Sequence, residues 1–262
     1  MGRRTLLWIL GIFSLGMLLI AAIAPPIPQP PEYHRFADTR SYFGIPNFFN
    51  VVSNLAFLFV GIAGLTFLLS SHVSLAYKPF IEPRERWPYL ILFLGAALVG
   101  AGSSYYHLAP DNDRLVWDRL PIAIAIMALL SAILMERVSL RAGLQLLPVL
   151  AMAGALSVMH WHWSEQRGAG NLNFYIVVQF YSILLIVLLG ILFPPRYTRG
   201  GDIYIVFAWY SAAKLAEAAD WKIYDLGHVI SGHTAKHVLA AVGIYWILRM
   251  LKLRKPLGTL SE

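Results

Sequence analysis

Apolar runs of about 18 residues or more recur along this chain, each long enough to cross a hydrocarbon core of about 30 Å. Eight spans are read, over residues 5–24, 48–70, 88–107, 115–136, 144–161, 174–194, 202–219 and 232–251. Hydrophobic residues make up 58% of the chain and charged residues 13%, against roughly 25% charged in ordinary soluble domains. The expectation is therefore an all-α polytopic membrane protein. Too little chain lies between the spans for a separate soluble domain. The net charge of +7 reads as short-loop topology signals, and no nucleic-acid partner is expected. The absence of cysteine excludes disulfides, thiolate metal sites and a cysteine nucleophile.

The first span follows Arg3 and Arg4 and ends in Ala22-Ile23-Ala24, which has the form of a signal-peptide cleavage site. Pro25 and Pro26 follow immediately and disfavour cleavage, so an uncleaved anchor helix is expected. Pro25 to Pro31 then form a stiff connector. Most Lys and Arg outside the spans, including Arg84, Arg137, Arg196 and Lys252, fall on one side if the N-terminus is cytoplasmic. That bias places both termini inside, with an even number of spans.

With this topology, four separated polar residues reach one depth. His107 lies at the outer end of the third span, Asp118 near the outer start of the fourth, and His233 and His237 in the first turns of the eighth. Side chains four apart share a helix face, so His233 and His237 form a two-histidine half-site, with Ser231 placed to cap their helix. Ser103 and His107 share the same spacing. The polar turn Asp111-Asn112-Asp113 makes the third and fourth spans neighbours, so Asp118 can face the same cavity. Three histidines with an open fourth position are the pattern of catalytic zinc. An aspartate beside such a centre can move a proton from water to a leaving group or orient a ligand from outside. A serine hydroxyl can hold a carbonyl oxygen or a developing oxyanion. Ionisable groups at membrane depth are costly, and so read as functional.

Other polar residues are assigned lesser roles. His160 and His162 alternate with Trp161 and Trp163 as in an interfacial aromatic belt, and are a competing ligand pair pointing to different helix faces. His228 is a lid residue or an outer support of the site. His34 and His72 read as loop residues. Lys214 and Glu217 are three apart and are expected to pair. Asn50 and Asn54, with Ser53 between them, are expected to tie helices together or support a second site. Asp38 and Asn47 are candidate oxygen ligands for calcium, although two oxygens are too few for its shell.

The segments F49-N50-V-V-S-N54, G102-S103-S-Y-Y-H107, W117-D118-R-L-P121 and H233-T-A-K-H237 resemble, in order and spacing, those of the alkaline ceramidase family, and more widely the CREST membrane hydrolases. The resemblance implies a seven-transmembrane-helix core with zinc held by His107, His233 and His237. It also implies that Ser103 and Asp118 serve the chemistry, and that the reaction is amide hydrolysis of ceramide. The calcium-binding segment of eukaryotic members is reduced here to F-A-D38-T-R-S-Y-F-G-I-P-N47, with one acid, and span one lies outside the core. Both features suggest a bacterial-type relative.

The resulting expectation is a zinc-dependent hydrolase cleaving ceramide or a related N-acyl lipid to a fatty acid and an amine. It would lie in a bacterial inner membrane with its site toward the periplasmic side. Residues 1–30 would form the anchor helix and connector, 31–256 the seven-helix domain, and 257–262 a cytoplasmic tail. The alternative is a seven-helix lipid receptor or binding protein with a structural zinc. A transporter is disfavoured because no internal repeat or pair of broken helices is visible.

Overall fold

A computed structural model describes residues 2–70 and 79–258 of the chain. His72, read above as a loop residue, and the tail beyond residue 258 lie outside these described residues. Each expected span is a helix. They are α1 (Arg3–Ile23), α2 (Phe48–Leu69), α3 (Arg86–Leu108), α4 (Asn112–Arg137), α5 (Leu140–Gln166), α6 (Asn173–Leu192), α7 (Asp202–Ala218) and α9 (Gly232–Leu253). The short α8 (Asp220–Asp225) precedes α9. Among the described residues no strand forms, only the isolated bridges Tyr42–Ile45 and Tyr197–Pro256. Helices α1 to α6 are long and apolar enough to cross a membrane. Helices α7 and α9 bring Lys214, Glu217 and Lys236 into the bundle and pack against each other.

Side-chain caps explain where several helices begin. Asp111 accepts from Arg114 N at 2.6 Å, Ser139 from Ala142 N at 3.4 Å and Ser231 from Thr234 N at 3.1 Å. Each satisfies an N–H that the first helical turn leaves unpaired. One expectation is corrected here. Asp111 is the cap, so Asn112 and Asp113 belong to the first turn of α4 and the three-residue break lies earlier, at residues 109–111. Asp220, just beyond the seventh span, opens α8 after a break at Ala219. Helix α5 also extends beyond its apolar run at both ends, because Ser139 caps it early and its outer end continues through His162 to Gln166.

Helix α4 is central and packs against α3, α5 and α6. The bundle closes through α2 on α3 and α9 on both α7 and α2. Helix α1 is peripheral, with Ala21 as its buried residue. It is held by a Ser14–Tyr181 hydroxyl contact of 2.7 Å, and by Asn173 Nδ2, which donates to the carbonyls of Ala21, Ala24 and Pro25 at 3.2–3.3 Å. Those carbonyls end a helix and have no intrahelical donor, so Asn173 fastens α1 at the point where it has least support of its own.

The contact that matters most for the site joins α3 to α4. Pro121 lies inside α4 and has no N–H to give the carbonyl four residues earlier, that of Trp117. Opposite this carbonyl lies Gly102 of α3, where a Cβ would meet Trp117 O at 2.0 Å. A side chain there would collide with backbone, which cannot swing aside. The two backbones therefore touch, as small residues permit between membrane helices, and Ser103 and Asp118 follow directly on the two contact positions. Gly102→Ala is expected to lower stability by about 1–3 kcal/mol through overpacking, read as a lower unfolding temperature in detergent, whereas Gly16→Ala, on an open face of α1, should leave it unchanged.

Candidate metal centre

Three imidazoles meet where α3 ends and α9 begins. His107, His233 and His237 are buried, with ring centroids 4.9, 5.0 and 4.9 Å apart. One nitrogen from each lies within 4.8 Å of the others, and this is the cluster able to hold a metal ion among the described residues. His107 Nε2 and His233 Nε2 are 3.3 Å apart. Two nitrogens bound at about 2.0–2.1 Å to one tetrahedral zinc lie about 3.3–3.4 Å apart, so the spacing fits shared coordination. His237 Nδ1 contacts Ser53 Oγ at 2.8 Å, which leaves Nε2 for the centre. An outer partner of this kind fixes the tautomer and ring orientation of a ligand histidine.

Each ring is placed by short-range contacts. Gly232 starts α9 where a Cβ would meet Ala216 O at 2.1 Å, so the helix can begin only with a glycine pressed against the end of α7. The Asp220 carboxylate then takes the N–H of His233 at 2.6 Å and that of Ala37 at 2.9 Å, joining the connector after α1 to the start of α9. Thr234 donates to Asn50 Oδ1 at 2.8 Å, Asn50 Nδ2 donates to Asp38 O at 3.2 Å, and Asn54 Nδ2 donates to Asn50 O at 2.7 Å. Asn50 and Asn54 thus tie α2 to α9 and the connector, one of the two roles expected of them. Phe36 covers the centre, with its ring 4.7 Å from that of His107 and 4.4 Å from that of His233.

Ser103 and Asp118 are buried and line one cavity of about 210 Å³ with His237. Its remaining wall is mostly apolar, including Phe57, Val99, Ile122, Ile183 and Ile244. Lys214, Glu217 and Lys236 also line it. Lys214 and Glu217 pair as expected, and Lys236 joins the same carboxylate at 2.6 Å.

The remaining candidates lie elsewhere. Asp38 is engaged by Arg40, whose Nη2 lies 2.7 Å away, and Asn47 Nδ2 donates to His107 O at 2.8 Å. The Asp38 carboxylate is therefore engaged by Arg40, and Asn47 is held through its amide nitrogen. Burial disfavours the ionised Asp38, but hydrogen bonds from the Arg40 side chain and backbone outweigh it and hold the carboxyl below its ordinary 3.8. His160 packs against Phe174, His162 contacts Gln166 at 2.9 Å, and His228 packs on Tyr224. None of the three joins the cluster. His34 was read as a plain loop residue, yet it contacts Tyr106 OH at 2.9 Å and Asn112 Oδ1 at 3.0 Å. Sequence reasoning also missed Asp220, Ser53 and Lys236 as parts of the site. Ser53 carried a signal, since it sits in a polar cluster inside an apolar span. Asp220 carried none, because its partners are backbone N–H groups.

The chain matches the Ceramidase family over residues 42–194, more than half its length, and it belongs to that family. The matched stretch holds Ser103, His107 and Asp118 and ends before His233 and His237. No curated protein matches the chain.

Loss of the Ser53 hydroxyl in Ser53→Ala should weaken metal affinity by about tenfold or more, measured by competition with a chelator. A carboxyl depressed in the folded state stabilises above its unfolded value and loses that contribution as pH falls through the folded one. The unfolding temperature of wild type should therefore approach that of Asp38→Asn as pH drops below 3.8.

Proposed function

We propose that this member of the ceramidase family is a zinc-dependent intramembrane amidohydrolase acting on ceramide or a related N-acyl lipid. The observation that carries this reading is the convergence of three buried imidazoles, two of them 3.3 Å apart, one of which, His237, lines a largely apolar cavity with Ser103 and Asp118. When bound there, a zinc ion supplies Lewis acidity, which polarises an amide carbonyl and makes water nucleophilic near neutral pH.

The protein's own groups supply the rest. His107, His233 and His237 hold the ion, and Ser53 and Asp220 keep two of these ligands in place. The apolar wall receives the acyl chain and excludes bulk water from the reacting carbonyl. Ser103 donates its hydroxyl to the carbonyl oxygen as negative charge grows there. Asp118 takes a proton from the attacking water as the carbon–oxygen bond forms, then delivers it to the amide nitrogen as the carbon–nitrogen bond breaks. The products are a fatty acid and an amine. Residues 31–256 form the catalytic unit, 1–30 an anchor and connector, and 257–262 a tail. The positive-charge bias supports cytoplasmic termini and a site toward the outer side of a bacterial inner membrane.

Purified protein should release fatty acid from N-acyl lipids, and Asp118→Asn should lower kcat by at least about a hundredfold while the unfolding temperature and bound zinc stay near wild type. Hydrolysis by Asp118→Asn at the wild-type rate would overturn the proton-transfer role. Zinc without turnover of any N-acyl lipid would favour the binding-protein reading, in which the metal is structural.

A further inference from the structure

The wall of the cavity changes from apolar to polar in the same sense on two helices. On α7 it passes from Val206 through Tyr210 to Lys214 and Glu217, and on α9 from Ile247 and Ile244 to His237 and Lys236. Residues three or four apart share a helix face, so each series is one face seen along its length. At a rise of about 1.5 Å per residue, roughly 15 Å separate Ile247 from His237. The polar end is level with the metal centre. A Cβ on Gly232 would meet Ala216 O at 2.1 Å, and Glu217 and His233 are the residues that follow these two. An acyl chain laid in the apolar end of the cavity thus brings its amide to the histidines, and the groups on the amide nitrogen to Lys214, Glu217 and Lys236.

These three side chains have hydrogen-bonding capacity left over. Glu217 takes one lysine on each oxygen, Lys214 on Oε2 and Lys236 on Oε1 at 2.6 Å. A carboxylate oxygen can accept a second bond, and an ammonium group has three donors, of which each lysine uses one here. The Glu217 side chain is 18% exposed and that of Lys236 17%, and both line the cavity, so a molecule lying there can reach them. The chemistry of the cluster restricts what that molecule carries. An ammonium head group would meet two lysines, and a carboxylate would meet Glu217 and Asp118. A hydroxyl donates and accepts at once, and so answers carboxylate and ammonium together.

We infer that Glu217, held between Lys214 and Lys236, forms a subsite for a neutral hydroxylated head group. Its carboxylate accepts a hydrogen bond from a hydroxyl on the amine portion of the lipid, and Lys236 donates to the same hydroxyl oxygen. The inference rests on the hydrolase reading above and names the residues that select its head group. In an N-acyl amino alcohol the hydroxyl lies only a few bonds from the amide nitrogen, which suits a cluster level with the histidines. Glu217 is then a specificity residue, acting on the head group while Ser103 and Asp118 act on the amide.

The test compares N-palmitoylsphinganine with its dideoxy analogue, which lacks both head-group hydroxyls, using the zinc-loaded full chain in detergent. In wild type, kcat/KM should favour the hydroxylated lipid by at least about tenfold, the size of one charge-assisted hydrogen bond. Glu217→Ala should erase this preference by slowing turnover of the hydroxylated lipid alone, and Glu217→Asp should retain part of it. The double variant Lys214→Ala/Glu217→Ala removes one charge of each sign, and gives the same readout if the single variant does not fold. Ligand-induced thermal shifts in an Asp118→Asn background need no turnover. There the hydroxylated lipid should raise the unfolding temperature more than the dideoxy analogue does, and removal of the Glu217 carboxylate should abolish the difference. Equal loss of both activities in the folded variants, or no hydroxyl preference in wild type, would overturn the subsite. If neither amide is cleaved but the Glu217-dependent thermal preference holds, the hydrolase reading fails while the subsite stands.

Discussion

The touching of two backbones at Gly102 and the Trp117 carbonyl fixes where Ser103, His107 and Asp118 lie. Pro121 leaves that carbonyl without its helical donor, and only a glycine on α3 leaves room for it. The groups at the site occupy the residues beside this contact, so the spacing of hydroxyl and carboxylate is set by backbone rather than by flexible side chains. On the facing side, Gly232 presses α9 onto the end of α7, and the Asp220 carboxylate takes up the His233 N–H and the Ala37 N–H together. Two glycine contacts and one bridging carboxylate thus bring the separated ends of α3, α4 and α9 to a single point.

Membrane burial explains why the surrounding polar groups are so closely joined. A hydrocarbon layer supplies no water, so polar side chains must find partners within the protein. Around the histidines many do, through Ser53, Asn50, Thr234 and Asn54. At the other end of the bundle Arg254 pairs with Glu136 and stacks 4.1 Å over the Tyr197 ring, while Arg137 donates to the carbonyls that follow α6.

The spans and the histidines were legible because membrane helices leave long apolar runs and because polar residues inside those runs are rare. Alternating span direction then placed His107, His233 and His237 at one end without any contact information. What could not be read depends on backbone. Asp220 acts through N–H groups, which every residue carries, and its place in a break between helices cannot be told from one inside a span. His34 and Phe36 fold onto the site from a connector that has no periodicity to reveal its path. The turn at Asp111-Asn112-Asp113 was misjudged because an aspartate that caps a helix and one that sits in a loop look alike until the N–H it accepts is seen. For Asp38 and Asn47, residue type suggested cation ligands, and the partners they find, Arg40 and the His107 carbonyl, could not be read from the sequence.

The central claim is that three imidazoles share one ion, and X-ray absorption at the zinc edge on purified protein tests it most directly. The expected result is about one zinc per chain with three imidazole nitrogens at about 2.0–2.1 Å and one oxygen ligand in the fourth position. Protein handled without chelators that holds no zinc, or zinc whose scattering lacks the imidazole shell, would contradict it.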